Sequence, residues 1–234
     1  MKKVILAFTM FFIMTSASLA DSNVYITQSG AALDLDITID GNANAVGASN
    51  DRTLLTGANL DVDIDLIGAT NTITGDFIGT GESGADDLKI NQTGSTNTTA
   101  LNVGSSASTD DVSIIENRVG SSGVTSYIIG STATVQDVSV TVDVVGDDID
   151  IALTENSSSS GSDKTTDIDI GTDSDDVDII VTHTGAGAHK TKLLCTGACG
   201  TSDFTFSQTG ANSTDVDLVV TNAAGSDVDI TITD

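Results

Sequence analysis

The chain has no proline and no tryptophan, and aromatic residues make up only 3% of its 234 residues. Because proline cannot donate a hydrogen bond within a sheet, its absence favours a structure built from interior strands. Basic residues are scarce as well: eight lysines and arginines stand against 34 aspartates and glutamates, and the net charge is −26. This balance excludes nucleic acid and anionic membrane surfaces as electrostatic partners.

Long apolar runs are missing apart from one near the N-terminus. Lys2 and Lys3 precede an apolar segment at residues 4–14, and the small residues at 18–20 follow as a cleavage site. This order is typical of a secretory signal peptide. The sequence therefore predicts a signal peptide over residues 1–20 and one mature domain over 21–234, exported through the periplasm to the cell surface or beyond. The apolar segment is too short for a membrane-spanning helix, so no span is expected.

Glycines recur every 26 residues, and each closes a stretch of alternating apolar and polar residues. The residue six positions before each glycine is apolar, and so is the residue four positions before it, with one exception. Alternation of this kind places the apolar side chains on one face of a strand. A fixed period of this length is typical of repeat proteins, in which one unit stacks on copies of itself. The four glycines are Gly68, Gly94, Gly120 and Gly146.

A second set of short alternating stretches lies between these strands, most clearly at residues 99–104 and 125–130. The sequence therefore predicts an all-β solenoid of two facing sheets, with two strands per rung, about 25 residues per rung and about eight rungs. The repeat slips by about half a rung in residues 42–67 and in residues 155–185. Extra strands and long loops are both open explanations of each slip, and the serine run at residues 157–160 is expected to form a turn or loop.

Glutamine stands two positions before the closing glycine in three of the units. By parity this position lies on the inward face, where an amide without hydrogen-bond partners is costly. Stacked rungs solve the problem because like amides one rung apart can hydrogen-bond to each other. We therefore predict a ladder of buried glutamines, with His183 at the same inward position in its own unit. The three pairs are Gln28 with Gly30, Gln92 with Gly94, and Gln208 with Gly210.

Residues 88–97 (LKINQTGSTN) resemble the repeat of the curlin family, the subunits of bacterial curli fibres. That repeat reads roughly apolar-x-apolar-x-Gln-x-Gly-x-x-Asn-x-Ala. Asn97 matches the family's Asn, Thr99 stands where Ala is usual, and residues 24–30 and 204–210 match as far as the glycine. The resemblance implies an extracellular, amyloid-like solenoid that adds rungs end to end, joining copies of itself or a related fibre subunit. A β-solenoid of other ancestry is the alternative.

Aspartates alternate with apolar residues along several strands, which places them on the outward face. Stacking brings such carboxylates about 5 Å apart, at a cost on the order of 1 kcal/mol per pair in water. Calcium takes oxygen ligands and would relieve the repulsion; a solvated acidic face that prevents edge-to-edge aggregation is the alternative. The alternative to a fibre subunit is a monomeric surface domain that acts as an adhesin or binds calcium. The candidate calcium ligands are Asp61, Asp63, Asp65, Asp176 and Asp178.

Cys195 and Cys199 are the two cysteines of the chain. In an exported protein such a close pair predicts a disulfide across a small loop, provided that the Cα atoms lie within ~7 Å. Glu116 and Arg118 share one inward face, which predicts an ion pair between them. His189 is expected in a solvated turn. No set of side chains has a catalytic pattern, so no enzymatic activity is expected.

Overall fold

The computed structural model describes residues 12–13, 22–47, 53–79, 86–104, 112–130, 137–156, 163–171, 174, 176–185, 187–196, 199, 201–210, 213–221 and 227–233. These residues form strands and turns, with no helix among them. The strands, in chain order, are β1 (Phe12–Ile13), β2 (Ser22–Val24), β3 (Thr27–Ser29), β4 (Asp34–Asp40), β5 (Ala43–Val46), β6 (Thr53–Gly57), β7 (Asp61–Ile67), β8 (Thr70–Gly79), β9 (Asp86–Thr93), β10 (Thr96–Val103), β11 (Val112–Val119), β12 (Ser122–Ile129), β13 (Val138–Val145), β14 (Asp148–Asn156), β15 (Lys164–Ile170), β16 (Asp176–Thr184), β17 (Ala188–Cys195), β18 (Thr201–Thr209), β19 (Ser213–Val220) and β20 (Asp227–Thr233).

The strands make two parallel sheets. Sheet A has the order β1-β4-β7-β9-β11-β13-β15-β17-β19, and sheet B has the order β2-β5-β8-β10-β12-β14-β16-β18-β20, with β3 and β6 beside its first strands. The chain passes from a sheet B strand to a sheet A strand and back, so one strand of each makes a turn of a solenoid. The predicted all-β solenoid with two sheets and two strands per turn is confirmed.

The turns differ in regularity along the stack. Six of them, from β8 and β9 to β18 and β19, combine one long strand of each sheet. In the turns before them the sheet B strand is divided, into β2 and β3 and then into β5 and β6. The expected count of about eight equal rungs therefore differs slightly from the structure. At the other end of the stack, β20 pairs with β18 and is the last strand of sheet B, whereas sheet A ends one turn earlier, at β19.

Strands of neighbouring turns pair in register, so each residue stacks on its counterpart one turn away. In sheet A, Val62, Leu88, Ile114 and Val140 form one such column, and all four are buried. Burial of an aliphatic side chain of this size contributes about 1.5–3 kcal/mol. Because every turn repeats this contribution, the core is a continuous column between the sheets, and each turn depends chiefly on its two neighbours.

The periodic glycines lie at one corner of the solenoid, between a sheet A strand and the following sheet B strand. A Cβ atom on Gly94 would lie 1.9 Å from the carbonyl oxygen of Gly68. The same atom on Gly120 would lie 2.2 Å from the carbonyl oxygen of Gly94, and on Gly146 it would lie 2.0 Å from that of Gly120. A side chain is therefore excluded at this corner by the backbone of the turn below.

The predicted slips are changes of sheet rather than interruptions of the stack. In residues 155–185, β15 follows β13 in register within sheet A, with Ile170 opposite Val144, and β16 returns to sheet B. In residues 42–67 the divided strand, β5 and β6, precedes β7. Ordinary strands therefore account for both regions, and alignment on the closing glycines placed some units on the wrong sheet. The serine run at 157–160 lies outside the described residues.

The predicted signal peptide also lies outside the described residues, apart from β1, which pairs with β4. Cleavage after Ala20 stays a prediction. The described part of the chain contains no helix that is long and apolar enough to cross a membrane.

Candidate functional site

Three asparagines form a ladder inside the solenoid, at the start of the sheet B strands β5, β8 and β10. The Nδ2 atom of Asn44 donates to Oδ1 of Asn71 at 3.0 Å, and Nδ2 of Asn71 donates to Oδ1 of Asn97 at 2.9 Å. Each amide also donates to a backbone carbonyl, for example Asn71 to Thr93 at 3.0 Å. All three side chains are buried. The ladder therefore joins three turns through side chains, in addition to the backbone hydrogen bonds.

The asparagine ladder and the glycine corner depend on each other. A Cβ atom on Gly94 would lie 2.9 Å from Nδ2 of Asn71, and one on Gly120 would lie 2.7 Å from Nδ2 of Asn97. Only glycine leaves room for the amide of the turn below. Sequence reasoning found Asn97 but missed Asn44 and Asn71. The signal was present, because an asparagine follows Gly41, Gly68 and Gly94 at the same distance of three residues.

The predicted glutamine ladder is wrong. Gln92 lies in sheet A between Leu66 and Arg118, whereas Gln28 and Gln208 lie in sheet B. Several turns separate Gln28 from Gln208, so no described glutamine stacks on another. Gln92 Oε1 instead lies 3.2 Å from Thr99 Oγ1, whose one hydroxyl hydrogen it shares with Glu116, and Gln92 Nε2 donates to the Thr98 carbonyl at 3.3 Å.

The closing glycines of the glutamine units differ as well. Gly30 and Gly210 follow sheet B strands and have positive φ angles of 152° and 79°, whereas Gly94 belongs to the corner after sheet A. The amide of Gln208 donates to Thr214 Oγ1 at 2.5 Å. Gln92 and Gln208 thus each contact a threonine on the facing sheet, whereas the sequence predicted a stacked glutamine as the partner.

Glu116 interrupts the apolar column of sheet A and is buried within a network of hydroxyl groups. Its carboxylate accepts hydrogen bonds from Thr99 at 2.9 Å, from Thr125 at 3.0 Å and from Tyr127 at 2.9 Å. All three donors lie on sheet B strands, β10 and β12. A buried carboxylate is tolerated only where its lone pairs are satisfied. Burial, followed by the Glu116 charge, raises the pKa of the Tyr127 hydroxyl well above its usual range.

Arg118 reaches Glu116 through a hydroxyl group. Its Nη1 atom donates to Thr125 Oγ1 at 2.7 Å, and Thr125 donates to the Glu116 carboxylate. The guanidinium fills the space above Gly123, where a Cβ atom would lie 2.6 Å from Nε. Gly123 occupies the position next to Asn97 in sheet B. The asparagine ladder therefore ends at Asn97, and in the following turn the Arg118 side chain fills the space that a further asparagine would occupy. Burial lowers the pKa of Arg118, and the Glu116 charge opposes this shift.

A second polar cluster lies in the next two turns, from β14 to β17, where Glu155, Lys164, His183 and His189 are all buried. His183 occupies the inward position that the sequence predicted and stacks between Glu155 and Gln208. The prediction for His189 is wrong, because this residue lies inside β17 and not in a solvated turn. Its ring packs edge-on against that of His183, with centroids 5.2 Å apart.

The calcium candidates lie on the outer faces of both sheets and do not form one group. Asp61, Asp63 and Asp65 face outward on β7 in sheet A, and Asp65 accepts a hydrogen bond from Asn91 Nδ2. Asp176 and Asp178 face outward on β16 in sheet B. Within the part of the chain that the structure describes, no three His, Cys, Asp or Glu residues are arranged to hold a metal ion.

Outward aspartates nevertheless stack in columns. Asp61 lies between Asp34 and Asp87. Partial burial raises the pKa of Asp61, and the charges of Asp63, Asp34 and Asp87 raise it further. In sheet B, Asp178 lies between Asp150 and Asp203, and Asp227 follows Asp203. Burial and the charges of Asp148 and Asp178 raise the pKa of Asp150 in the same way. These columns are sites of like-charge repulsion.

Cys195 and Cys199 form a disulfide, with Cα atoms 6.4 Å apart. Cys195 ends β17, and Cys199 lies between β17 and β18. Both residues are fully buried. The bond therefore fastens the connection between the two sheets at the turn that ends in β17.

Taken together, these features define a β-solenoid with inward amide and ionic contacts and acidic outer columns. Comparison of the chain with family models, curated proteins and solved structures found no match.

Proposed function

We propose that this protein is a secreted structural protein, a curlin-like subunit of an extracellular fibre or biofilm matrix that self-assembles by stacking turns. The observation that carries the proposal is the in-register parallel stacking of two sheets, because every turn offers the next one the same set of backbone hydrogen bonds. The asparagine ladder, with bonds of 3.0 and 2.9 Å, adds the stacked amides that are typical of amyloid-like assemblies.

The surface of β20 supports the proposal further. Val228, Ile230 and Ile232 continue the inward columns of sheet B, yet they are 40, 48 and 49% exposed. At the other end of the stack, Val24 of β2 begins the inward column that contains Val46 and Ile73, and Ile26, between β2 and β3, packs against the same core. A second copy stacked on β20 would bury these two apolar sets against each other.

The outward face favours the same contact. Asn23 begins the outward column that contains Asp150, Asp178, Asp203 and Asp227, so the carboxylate of Asp227 would meet an amide of the second copy. In this contact sheet B is continuous, whereas sheet A leaves room for one strand between β19 and the next β4. That position beside β4 is the one that β1 holds.

The test is assembly of the protein from residue 21 onward, followed by thioflavin fluorescence, electron microscopy and fibre diffraction. We expect fibres with a meridional reflection near 4.7–4.8 Å. Ile230→Lys should abolish growth, because it puts a charge into the contact. Ile180→Lys is the matched control, because Ile180 is an outward residue of β16 that is 51% exposed. A protein that stays monomeric at high salt and with calcium would contradict the proposal.

The acidic columns favour a second candidate, a monomeric surface domain that acts as an adhesin or binds calcium. Stacked aspartates such as Asp34, Asp61 and Asp87 would attract a hard divalent cation. This candidate predicts a calcium-dependent rise in melting temperature without fibres, measured by calorimetry with magnesium as the control. Fibres that form equally well with and without calcium would favour the first candidate.

A further inference from the structure

Four titratable side chains lie together inside the solenoid, in the turns built from β14 to β17. Glu155, Lys164, His183 and His189 are each no more than 2% exposed. Burial of so many ionisable groups is costly unless they are paired or neutral. None of these four residues takes part in the acidic outer surface, the asparagine ladder or the proposed assembly. Their burial therefore requires a separate explanation.

The contacts within the cluster depend on where the protons lie. Glu155 Oε2 is 3.1 Å from His183 Nε2, and this contact is a hydrogen bond only when one of the two atoms carries a proton. Thr166 Oγ1 lies 3.3 Å from Glu155 Oε1 and 3.3 Å from His183 Nε2. Lys164 Nζ lies 3.4 Å from His189 Nε2, which can accept a hydrogen bond only while the imidazole is neutral.

The groups that surround the cluster add few charges. Along sheet B, Ile129 of β12 and Gln208 of β18 flank the pair formed by Glu155 and His183. Along sheet A, Val138 of β13 and Thr214 of β19 flank Lys164 and His189. Among the described residues, Asp163 is the one further titratable group that acts on the cluster, and it lies beside Lys164 on the surface.

We propose that Glu155, Lys164, His183 and His189 form a proton switch that holds the turns of β14 to β17 together while both imidazoles are neutral and opens them in acid. Protonation of His183 or His189 would place a second cation beside Lys164, and Glu155 is the one buried acid of the cluster among the described residues. The switch belongs to the fold itself and does not rest on the proposed function.

The pKa shifts agree with this geometry. Burial, and then the charges of His189 and Lys164, lower the pKa of His183 to about 3. Burial and Lys164 lower the pKa of His189 to about 4, with Asp163 opposing. Burial raises the pKa of Glu155 to about 8, although Lys164 and Thr166 oppose the shift. Burial lowers the pKa of Lys164 as well, with Glu155 opposing.

The sign of the pH dependence follows from linkage. An unfolded histidine titrates near pH 6.5, so below that pH the unfolded chain binds protons that the folded cluster refuses. Each histidine then raises the unfolding constant about tenfold per pH unit until the pH falls to the pKa of the folded state. Glu155 has the opposite effect on stability. Between pH 4.5 and about pH 8 the carboxyl group of the unfolded chain is ionised while that of the folded protein keeps its proton, so Glu155 lowers the stability as the pH rises. Stability from the cluster is therefore lost on both sides of a mildly acidic optimum.

The outer aspartates have the opposite dependence on acid. Protonation of Asp61, Asp143 and Asp150, whose pKa values are all raised, relieves repulsion as the pH falls. A stability curve of the wild-type protein alone would mix the two effects. A comparison with a variant that lacks only the histidines separates them, because the aspartates are common to both proteins.

The test is urea unfolding from pH 7.5 to pH 4 for the wild-type protein and for a variant with His183→Gln and His189→Gln. Glutamine suits this site because Gln208 already occupies the neighbouring turn. Between pH 6 and pH 4.5 the wild-type unfolding constant should rise about a hundredfold per pH unit relative to the variant. Parallel curves would overturn the proposal.

A second measurement covers the case in which the variant does not fold. Histidine side-chain NMR of the wild-type protein should show both imidazoles neutral down to about pH 5, whereas imidazoles that titrate near pH 6.5 in the folded protein would overturn the proposal. Lys190→Gln, on the outer face of β17, is a control that should leave the pH profile of stability unchanged between pH 6 and pH 4.5.

Discussion

At the scale of single residues, the side-chain amide of Asn71 takes part in three hydrogen bonds that link neighbouring turns. It accepts a hydrogen bond from Asn44, donates to Asn97 and donates to the Thr93 carbonyl. The substitution Asn71→Leu keeps the volume and leaves Asn97 Oδ1 without its donor, whereas Asn44 Nδ2 keeps the Ile67 carbonyl and the Thr93 carbonyl keeps the Gly68 N–H. Because an unsatisfied buried group costs about 1–3 kcal/mol, we expect a loss of about 1–3 kcal/mol in the free energy of unfolding, measured with urea.

Asn117→Leu is the matched control for this prediction. Asn117 lies on the outward face of β11, where its amide donates to Asn91 at 2.8 Å, and water can replace that bond. Its loss should stay within about 0.5 kcal/mol, as is usual for surface positions. Equal losses in the two variants would mean that the ladder adds nothing beyond ordinary surface contacts.

At the scale of strands, the outward columns of β7 and β15 have opposite electrostatics. Asp61 lies between two aspartates, whereas Asp167 receives a hydrogen bond from Lys192 Nζ at 2.9 Å. Asp61→Asn should raise the melting temperature at neutral pH and low salt, and Asp167→Asn should lower it. Each substitution should change the free energy of unfolding by roughly 0–1 kcal/mol, the size of a surface charge contact. Because its folded pKa is raised, Asp61 costs stability as the pH rises through that pKa, so its substitution should matter less in acid.

Salt provides the check on this pair of variants. Exposed charges are largely screened at 0.5 M sodium chloride, so both differences should shrink together when melting is repeated there. Shifts of the same sign for the two variants, or shifts that salt does not reduce, would contradict an electrostatic origin.

Much of the strand pattern could be predicted from the sequence, because alternation and the glycine period are local signals. The inward positions of Val62 and Leu88 follow from parity alone, and both are buried. The sheet to which a strand belongs could not be predicted so simply. Residues 179–185 and 88–94 both end in glycine after an alternating stretch, yet the first stretch lies in sheet B and the second in sheet A. Only the pairing of complete turns distinguishes them.

The polar interior was harder to predict because its partners come from different turns. Glu116 reads as an exception in an apolar column, and its three hydroxyl donors lie 9 to 17 residues away on the facing sheet. The local sequence around His189 is typical of a polar turn. The contact of His189 with Lys164 inside the solenoid could not be seen there, because Lys164 lies 25 residues earlier in the chain. The asparagine ladder could have been found, since its residues recur at the period of the glycines.

At the scale of the whole molecule, the solenoid is a one-dimensional stack in which each turn contacts its neighbours, so substitutions should couple only over short distances. Asn71→Leu and Asn97→Leu remove the two ends of one hydrogen bond. Their combined cost should therefore be smaller than the sum of the separate costs by about 1–2 kcal/mol.

Phe204→Leu changes a buried residue of β18, several turns away, and its cost should add to that of Asn71→Leu within about 0.5 kcal/mol. Urea unfolding of the single and double variants provides all the required values. Coupling of Asn71→Leu to Phe204→Leu as strong as its coupling to Asn97→Leu would show that the stack responds as one cooperative body and not turn by turn.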